Sequence, residues 1–358
     1  SLFCDDDGIM WAGTFKNGVS YYHPGMLKFN KSPLFFFQHP DLETKDCNSL
    51  LEDRQGNLWI GTNGNGLLKQ DKQTGRFSLY RHHKNDPASL SSDIVISLLE
   101  DKKGRLWAGT FMGGLNRMDG QRFTSFQSNP ANPNSLSNNS IYSLVQDPDG
   151  AIWIATLGGG IDRLDPEKQQ FLRHDIGNMP EMSSNYVLSM SVKAFPHVLL
   201  STSQGLNLLN TKTNTITAFF KDQQLIDQLS DIIMIYSLMD SQGNVWMGTE
   251  SGINLYLADL KTMMHLTKAD GMPSNQVVSL VEDNRGNIWA GTRNGLACIT
   301  MTRDTKSGQP TFSIVSFDEK DGLVSTIFNQ NAVYKNKEGW LYFGCTKGYT
   351  CFDPDRIR

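Results

Sequence analysis

A chain of 358 residues, 39% hydrophobic and 20% charged, has the composition of a folded globular protein and excludes a disordered one. A formal net charge of −4 and a pI near 6.0 give no basic face of the kind nucleic-acid binders carry. The longest apolar stretch, Ile232 to Met239, is broken by Tyr236 and Ser237 and is far too short for a membrane-spanning helix.

The first element in chain order already belongs to a repeat. Met10-Trp11-Ala12-Gly13-Thr14 returns as Leu58-Trp59-Ile60-Gly61-Thr62, Leu106-Trp107-Ala108-Gly109-Thr110 and Ile152-Trp153-Ile154-Ala155-Thr156. It returns again as Val245-Trp246-Met247-Gly248-Thr249 and Ile288-Trp289-Ala290-Gly291-Thr292, with worn copies at Val198–Thr202 and Leu341–Cys345. The anchors at 11, 59, 107, 153, 199, 246, 289 and 342 recur about every forty-seven residues, the mark of a repeat architecture.

Each unit reads as four short strands. Strand A is an apolar run such as Ile96–Leu99 and ends at an Asp-x-x-Gly turn, as in Asp53 to Gly56, Asp101 to Gly104, Asp147 to Gly150, Asp240 to Gly243 and Asp283 to Gly286. Asp can accept its own backbone N–H two residues on, and Gly takes the positive φ of a tight hairpin. Strand B is the Trp string. Strand C follows a Gly-rich turn, as in Gly66–Lys69, and strand D is aromatic, as in Phe77–Tyr80, Phe123–Phe126 and Thr217–Phe220. The near-continuous apolar character of A and B suits sheets covered on both faces. The fold class is therefore all-β, a β-propeller of four-stranded blades packed face to face around an axis.

The last unit, Ala332 to Asp353, supplies strands A to C and then the chain stops. Strand 34–37 (Leu34-Phe35-Phe36-Phe37) is free to complete it. That pairing closes residues 32–358 into seven four-stranded blades and leaves 1–31 as strands A to C of a partial blade, the last of a preceding propeller. The alternative is an eight-bladed ring with one three-stranded blade, which leaves an open edge. The chain opens partway through a unit and without Met, so it reads as a piece of a longer protein.

Blades of the form Asp-x-x-Gly-x-Leu-Trp-Ile-Gly-Thr, with linkers such as Asn85–Ser91 and Asn129–Ser137, resemble the two-component regulator propeller repeat. The resemblance covers nearly the whole chain and implies the periplasmic sensor region of a Bacteroides-type hybrid two-component system. It further implies a neighbouring propeller and a β-sandwich domain in the same chain, a homodimer, and histidine kinase activity elsewhere in the intact protein. Gly18–Pro24 resembles the junction into a second propeller, and Tyr349–Pro354 the exit toward the sandwich. The fifth unit departs from the pattern, since Ala194-Phe195-Pro196-His197 has neither the turn Asp nor the turn Gly.

The Trp ring is read as inter-blade packing and the turn carboxylates as structural. One carboxylate per blade cannot converge on an ion that needs six or more oxygens. The five cysteines contain no CxxC pair and the seven histidines show no metal-ligand spacing, so no metal or cofactor is expected. Cys345 and Cys351 could meet across a hairpin, though buried free thiols suit small apolar residues better.

Candidate ligand contacts are positional, because the D-to-A and B-to-C connections of a propeller share one face. Four residues ahead of the aligned strand-A Ser stand Lys45, Asp93, Asn139, Asn185 and Asn275, with Phe328 and Asn329 in the last unit. The variable B-to-C turns add Asn63, Phe111, Glu250, Arg293 and Lys347, and the basic cluster Arg81-His82-His83-Lys84 adds Arg81 and His82. Amides, a few charges and an aromatic suit an oligosaccharide or similar small polar ligand, bound without turnover. The alternatives are a propeller enzyme, either a metal-dependent lyase or a glycoside hydrolase, and a protein-interaction scaffold.

Overall fold

The computed structural model describes residues 1–5, 10–14, 18–22, 29–31 and 46–357. Seven four-stranded antiparallel sheets follow one another, each running A-B-C-D, and an eighth sheet at the start of the chain has three strands. Blade 1 has Cys47–Glu52, Leu58–Thr62, Leu67–Gln70 and Phe77–Tyr80 as its strands. Strand A of blades 2 to 6 is Val95–Glu100, Ile141–Gln146, Val187–Ala194, Tyr236–Met239 and Val277–Glu282. Blade 7 consists of Phe328–Lys335, Leu341–Cys345 and Gly348–Phe352, completed by Asn30–Lys31. Its strand A lies against strand A of blade 1, so the ring is closed. The fold is a seven-bladed propeller.

The completing strand pairs Thr350 with Lys31 and Cys351 with Asn30. The expected strand 34–37 lies outside the described residues. Asn30–Lys31 shows no strand pattern of its own; an unpaired edge at Gly348–Phe352 supplies the partner instead. Just before it, Phe29 is buried edge-on to Phe317 and Phe352, at ring-centroid distances of 5.1 and 4.9 Å. The three-stranded unit, Leu2–Cys4, Met10–Gly13 and Val19–Tyr22, differs from every blade in leaving Leu2, Phe3, Met10 and Val19 exposed.

One hydrogen-bond pattern recurs in blades 1, 2, 3, 5 and 6. The turn Asp uses Oδ1 to accept the backbone N–H four residues on, while Oδ2 accepts the Trp indole Nε1–H at 2.8 to 3.0 Å. The bonded pairs are Asp53–Trp59, Asp101–Trp107, Asp147–Trp153, Asp240–Trp246 and Asp283–Trp289. The Trp then packs into the next blade, as Trp59 does among Leu90, Val95, Leu106, Ala108 and Phe123. The Gly two residues after Trp is needed where the next blade approaches. A Cβ on Gly61 would lie 2.2 Å from Ser49 Oγ and 2.8 Å from Val95 Cγ1. Thr62 completes the motif by donating its hydroxyl to Gly66 O at 2.8 Å, which shuts the B-to-C turn.

Blade 4 lacks the Asp and the Trp, as its sequence indicates. Its A–B hairpin turns through Phe195–Pro196, with Ala194 paired to His197. All five cysteines are free. Cys345 pairs with Gly348 and Cys351 with Tyr342, so the two thiols occupy separate rungs of one hairpin. Burial pushes Cys345 up to about 12 and Cys351 up to about 11, which keeps both protonated.

Strand C carries a second buried polar row. Asn116, Asn207 and Asn254 each offer Oδ1 to the backbone N–H of Ser91, Ser183 and Ser230 at 3.0 Å. Blade 3 has Asp162 in that place. Its Oδ2 accepts from Ser137 N at 2.8 Å, while Oδ1 is buried with no protein partner. Burial pushes its carboxyl up to about 7 from an ordinary value of 3.8.

Two outcomes are expected. Replacing Asp147 with Ala strips a buried acceptor from Trp153 Nε1 and Ala151 N, and urea unfolding should register a loss of about 1–3 kcal/mol. Because the native Asp162 binds its proton more tightly than the unfolded chain does, its burial costs nothing below pH 4. The cost grows as pH rises from 4 to 7 and is complete above 7. Asp162→Asn should therefore match the parent in Tm near pH 4 and exceed it at pH 8, by roughly 1–2 °C per kcal/mol relieved.

Candidate functional site

Strand A opens with a one-residue bulge in blades 1, 2, 3, 4 and 6. In blade 6, for example, Val277 pairs with Thr292 and Ser279 with Gly291, leaving Val278 unpaired between them. A bulge re-aims its extra side chain. Here the extra residues are Asn48, Ile96, Tyr142, Leu188 and Val278. Blade 7 enlarges this bulge. Phe328 pairs with Cys345 and Val333 with Phe343, so the strand holds two more residues than blade 6 does over the same two rungs.

Those additional residues reach across the axis of the ring. Asn331 has φ 61°, a left-handed conformation that Asn adopts more readily than most residues. Its Nδ2 donates to Leu188 O at 2.6 Å and to Tyr142 O at 3.3 Å, joining blade 7 to blades 4 and 3. Asn331 thereby stands between two spaces in the channel. A lower one of about 220 Å³ includes Ser49, Ser97, Met190, Tyr236 and Tyr334 in its lining. The upper one, of about 420 Å³, is the mouth. Ile96, Tyr142 and Asn331 border both.

The mouth draws side chains from five blades. Asp46, Asn48 and Asn63 come from blade 1, Ile94, Ile96 and Phe111 from blade 2, and Tyr142 from blade 3. Arg293 comes from blade 6, and Asn329, Gln330, Asn331 and Thr346 from blade 7. The turn residues are held by their own backbones: the N–H groups of Asn63, Phe111, Arg293 and Thr346 donate to Asp46, Ile94, Gln276 and Ile327 carbonyls at 3.0 to 3.1 Å. The Asp46 carboxylate accepts Asn63 Nδ2 at one oxygen, 3.0 Å away, and Asn329 Nδ2 at the other. Asn329 Nδ2 also donates to Cys47 O at 2.9 Å. The Arg293 guanidinium donates Nη1 to Phe328 O at 3.0 Å. Burial raises the Tyr142 phenol above its usual range, so it stays a neutral donor.

Of the residues expected from sequence, Asn63, Phe111, Arg293 and Asn329 meet at this mouth. The others do not join them. Asp93, Asn139, Asn185 and Asn275 each spend a side-chain oxygen on the backbone N–H of His82, Ser128, Ile176 and Lys268, which pins the D-to-A loops. Arg81 donates to Asn65 Oδ1 at 3.2 Å, and His82 Nδ1 lies 2.8 Å from Leu90 O. Glu250 accepts from Gln276, and Lys347 pairs with Glu319 at 3.0 Å. Lys45 lies outside the described residues.

Phe328 is a core residue, fully buried and edge-on to Phe343 at 5.8 Å. The enlarged bulge shifts the count by two, so Phe328 takes the place that Val277 holds in blade 6. The counterpart of Asn275 is Thr326, whose carbonyl accepts Gly295 N at 2.7 Å. Sequence reasoning missed Asp46, Asn48, Tyr142, Gln330, Asn331 and Thr346. One signal was present: from Phe328 to Tyr342 is fourteen residues, whereas the same step takes twelve from Cys47 to Trp59 or Val277 to Trp289.

The class defined by these observations is a seven-bladed propeller with a polar channel mouth. The family model of the two-component regulator propeller matches residues 41–64, 89–112, 135–158 and 271–294. Among solved structures, the chain is similar to the extracellular domain of BT3049, named as a hybrid two component system of B. thetaiotaomicron, with a TM-score of 0.77 and 23% identity. That match covers 99% of this chain and 45% of the other. The extracellular domain of BT4673 from the same organism matches with a TM-score of 0.70 and 20% identity, covering 99% and 46%. The chain thus spans under half the length of these relatives. The WD40 propeller of Doa1 shares the fold at 12% identity and a TM-score of 0.57, covering 87% of this chain and 94% of its own. A comparison with curated proteins gave no match. No helix of the described residues is long and apolar enough to cross a membrane.

The bulge yields its own test. Asn331→Ala removes the donor that bridges Tyr142 O and Leu188 O, and should lower unfolding stability by about 1 kcal/mol. Deleting Gln330 and Asn331 together restores the twelve-residue spacing, and a crystal structure should then show the two channel spaces merged.

Proposed function

We propose that this chain is the extracytoplasmic, periplasmic ligand-sensing propeller of a two-component signalling protein, binding an oligosaccharide or similar small polar ligand without turnover. The observation that carries the reading is the mouth itself, where amides, an arginine and two aromatic rings from five blades converge on about 420 Å³. A hydroxyl-rich ligand is held by such groups through hydrogen bonds and stacking. Among the described residues, Asp46 is the one carboxylate lining the mouth, and it is engaged by two amides. Glycoside cleavage instead uses two carboxyl groups across the scissile bond. The extracellular relatives and the regulator-propeller repeats support the same reading.

In the intact protein the three-stranded unit belongs to a neighbouring propeller, which would cover Leu2, Phe3, Met10 and Val19. A β-sandwich domain follows, a homodimer forms, and histidine kinase activity resides elsewhere. Signal passes when the ligand favours one arrangement of these parts over another.

Thermal unfolding against an oligosaccharide panel, with product analysis of the same samples, tests the proposal. A ligand at a hundred times its Kd should add about 2.7 kcal/mol of apparent stability and be recovered intact. Recovery of shortened sugar would establish an enzyme instead.

A further inference from the structure

Among the described residues, Arg293 is the only cation lining the mouth, and it forms no ion pair with a carboxylate. Its side chain makes one bond, from Nη1 to Phe328 O. A guanidinium carries five N–H donors in a planar fork that matches a carboxylate or sulfate. Lys347, on the B-to-C turn of blade 7, is committed to Glu319 at 3.0 Å. Asp46, the carboxylate in the same lining, is occupied by Asn63 and Asn329. The described lining thus carries one charge of each sign, the carboxylate held by two amides and the guanidinium outside any ion pair.

The enlarged bulge adds a second, independent observation. The Gln330 Nε2 and Asn331 Oδ1 atoms are buried without a protein partner, and both residues line the mouth. Buried polar groups cost stability unless something bonds them. One is a further donor on the same side of the ring as Arg293, the other an acceptor suited to a hydroxyl. Phe111 of blade 2 and Tyr142 of blade 3 line the same space.

We propose that the ligand of this mouth is an acidic saccharide, with its carboxylate or sulfate seated on Arg293 and the Gln330 amide. A neighbouring hydroxyl then bonds Asn331, and the pyranose face rests on Phe111. This inference rests on the saccharide-binding reading above and specifies the charge of the ligand.

The experiment is isothermal titration of the full chain and of Arg293→Gln with three matched sets of short oligosaccharides: uronate-containing, sulfated and neutral. The unliganded Tm of both proteins serves as the folding control, since Arg293 bonds only one carbonyl. The expected result is binding of an acidic set, weakened roughly 10- to 100-fold in Arg293→Gln and progressively by added salt. Preference for uronates over sulfated sugars, or the reverse, assigns the anionic group. Binding of neutral sugars at least as tightly as their acidic counterparts, or equal affinity in Arg293→Gln, overturns the inference and leaves the saccharide reading standing. Binding of no saccharide in any set overturns both.

Discussion

The bond from each turn carboxylate to the indole six residues later couples the two halves of the architecture. The Asp belongs to a hairpin at the foot of a blade, and the Trp to the apolar layer between blades. Joining them at 2.8 to 3.0 Å makes local turn geometry and inter-blade packing a single condition. A tilted hairpin would leave a buried indole N–H unsatisfied, and a misplaced indole would strand a carboxylate. The initial three-stranded unit keeps the same bond, Asp5 to Trp11, at 2.8 Å. Two blades do without it: blade 4 substitutes the short Phe195–Pro196 turn, and blade 7 has Tyr342 in the Trp place and Asn336 in the Asp place, its Oδ1 accepting Trp340 N at 2.9 Å.

This coupling is why the fold was legible. Asp, Gly, Trp, Gly and Thr each serve a role that no neighbour can take over, so they recur at fixed spacing and mark turn, core and close approach in turn. The closing strand was not legible, because Asn30–Lys31 is selected by the open edge it meets rather than by its own pattern. The site was half legible. Asn63, Phe111 and Arg293 stand at variable turns of a uniform repeat, and the structure places all three at the channel mouth. The amides ahead of strand A misled for a physical reason: Asn139 and Asn185 satisfy backbone donors so well that a structural need looks like a site. Residues such as Asn48 and Tyr142 were hidden because a bulge breaks the alternation by which inward and outward faces are told apart.

The mouth is a product of departures from the repeat. Perfect sevenfold repetition would place the same residue at every bulge and leave a uniform tube. Instead blade 7 lengthens its bulge, blade 1 contributes polar side chains, and blade 2 contributes isoleucines and a phenylalanine. A scaffold whose stability resides in the Asp–Trp pairs and the inter-blade core can vary these inner positions at little cost to the fold, because they touch neither.

Blade 7 is also where the chain enters and leaves the ring. Phe29 to Lys31 lie along its outer edge, and Pro354 to Arg356 follow directly from Gly348–Phe352. Arg285 of blade 6 braces that exit through Asp355. Whatever is joined to either end is thus joined to one blade, and a load between the two ends passes through it without circulating around the other six. The same blade carries the residues that cross the channel. A displacement of Asn329 to Asn331 and a pull on the segments that enter and leave the ring therefore act on one four-stranded lever, whose inner edge lines the channel mouth and whose outer edge carries Asn30–Lys31.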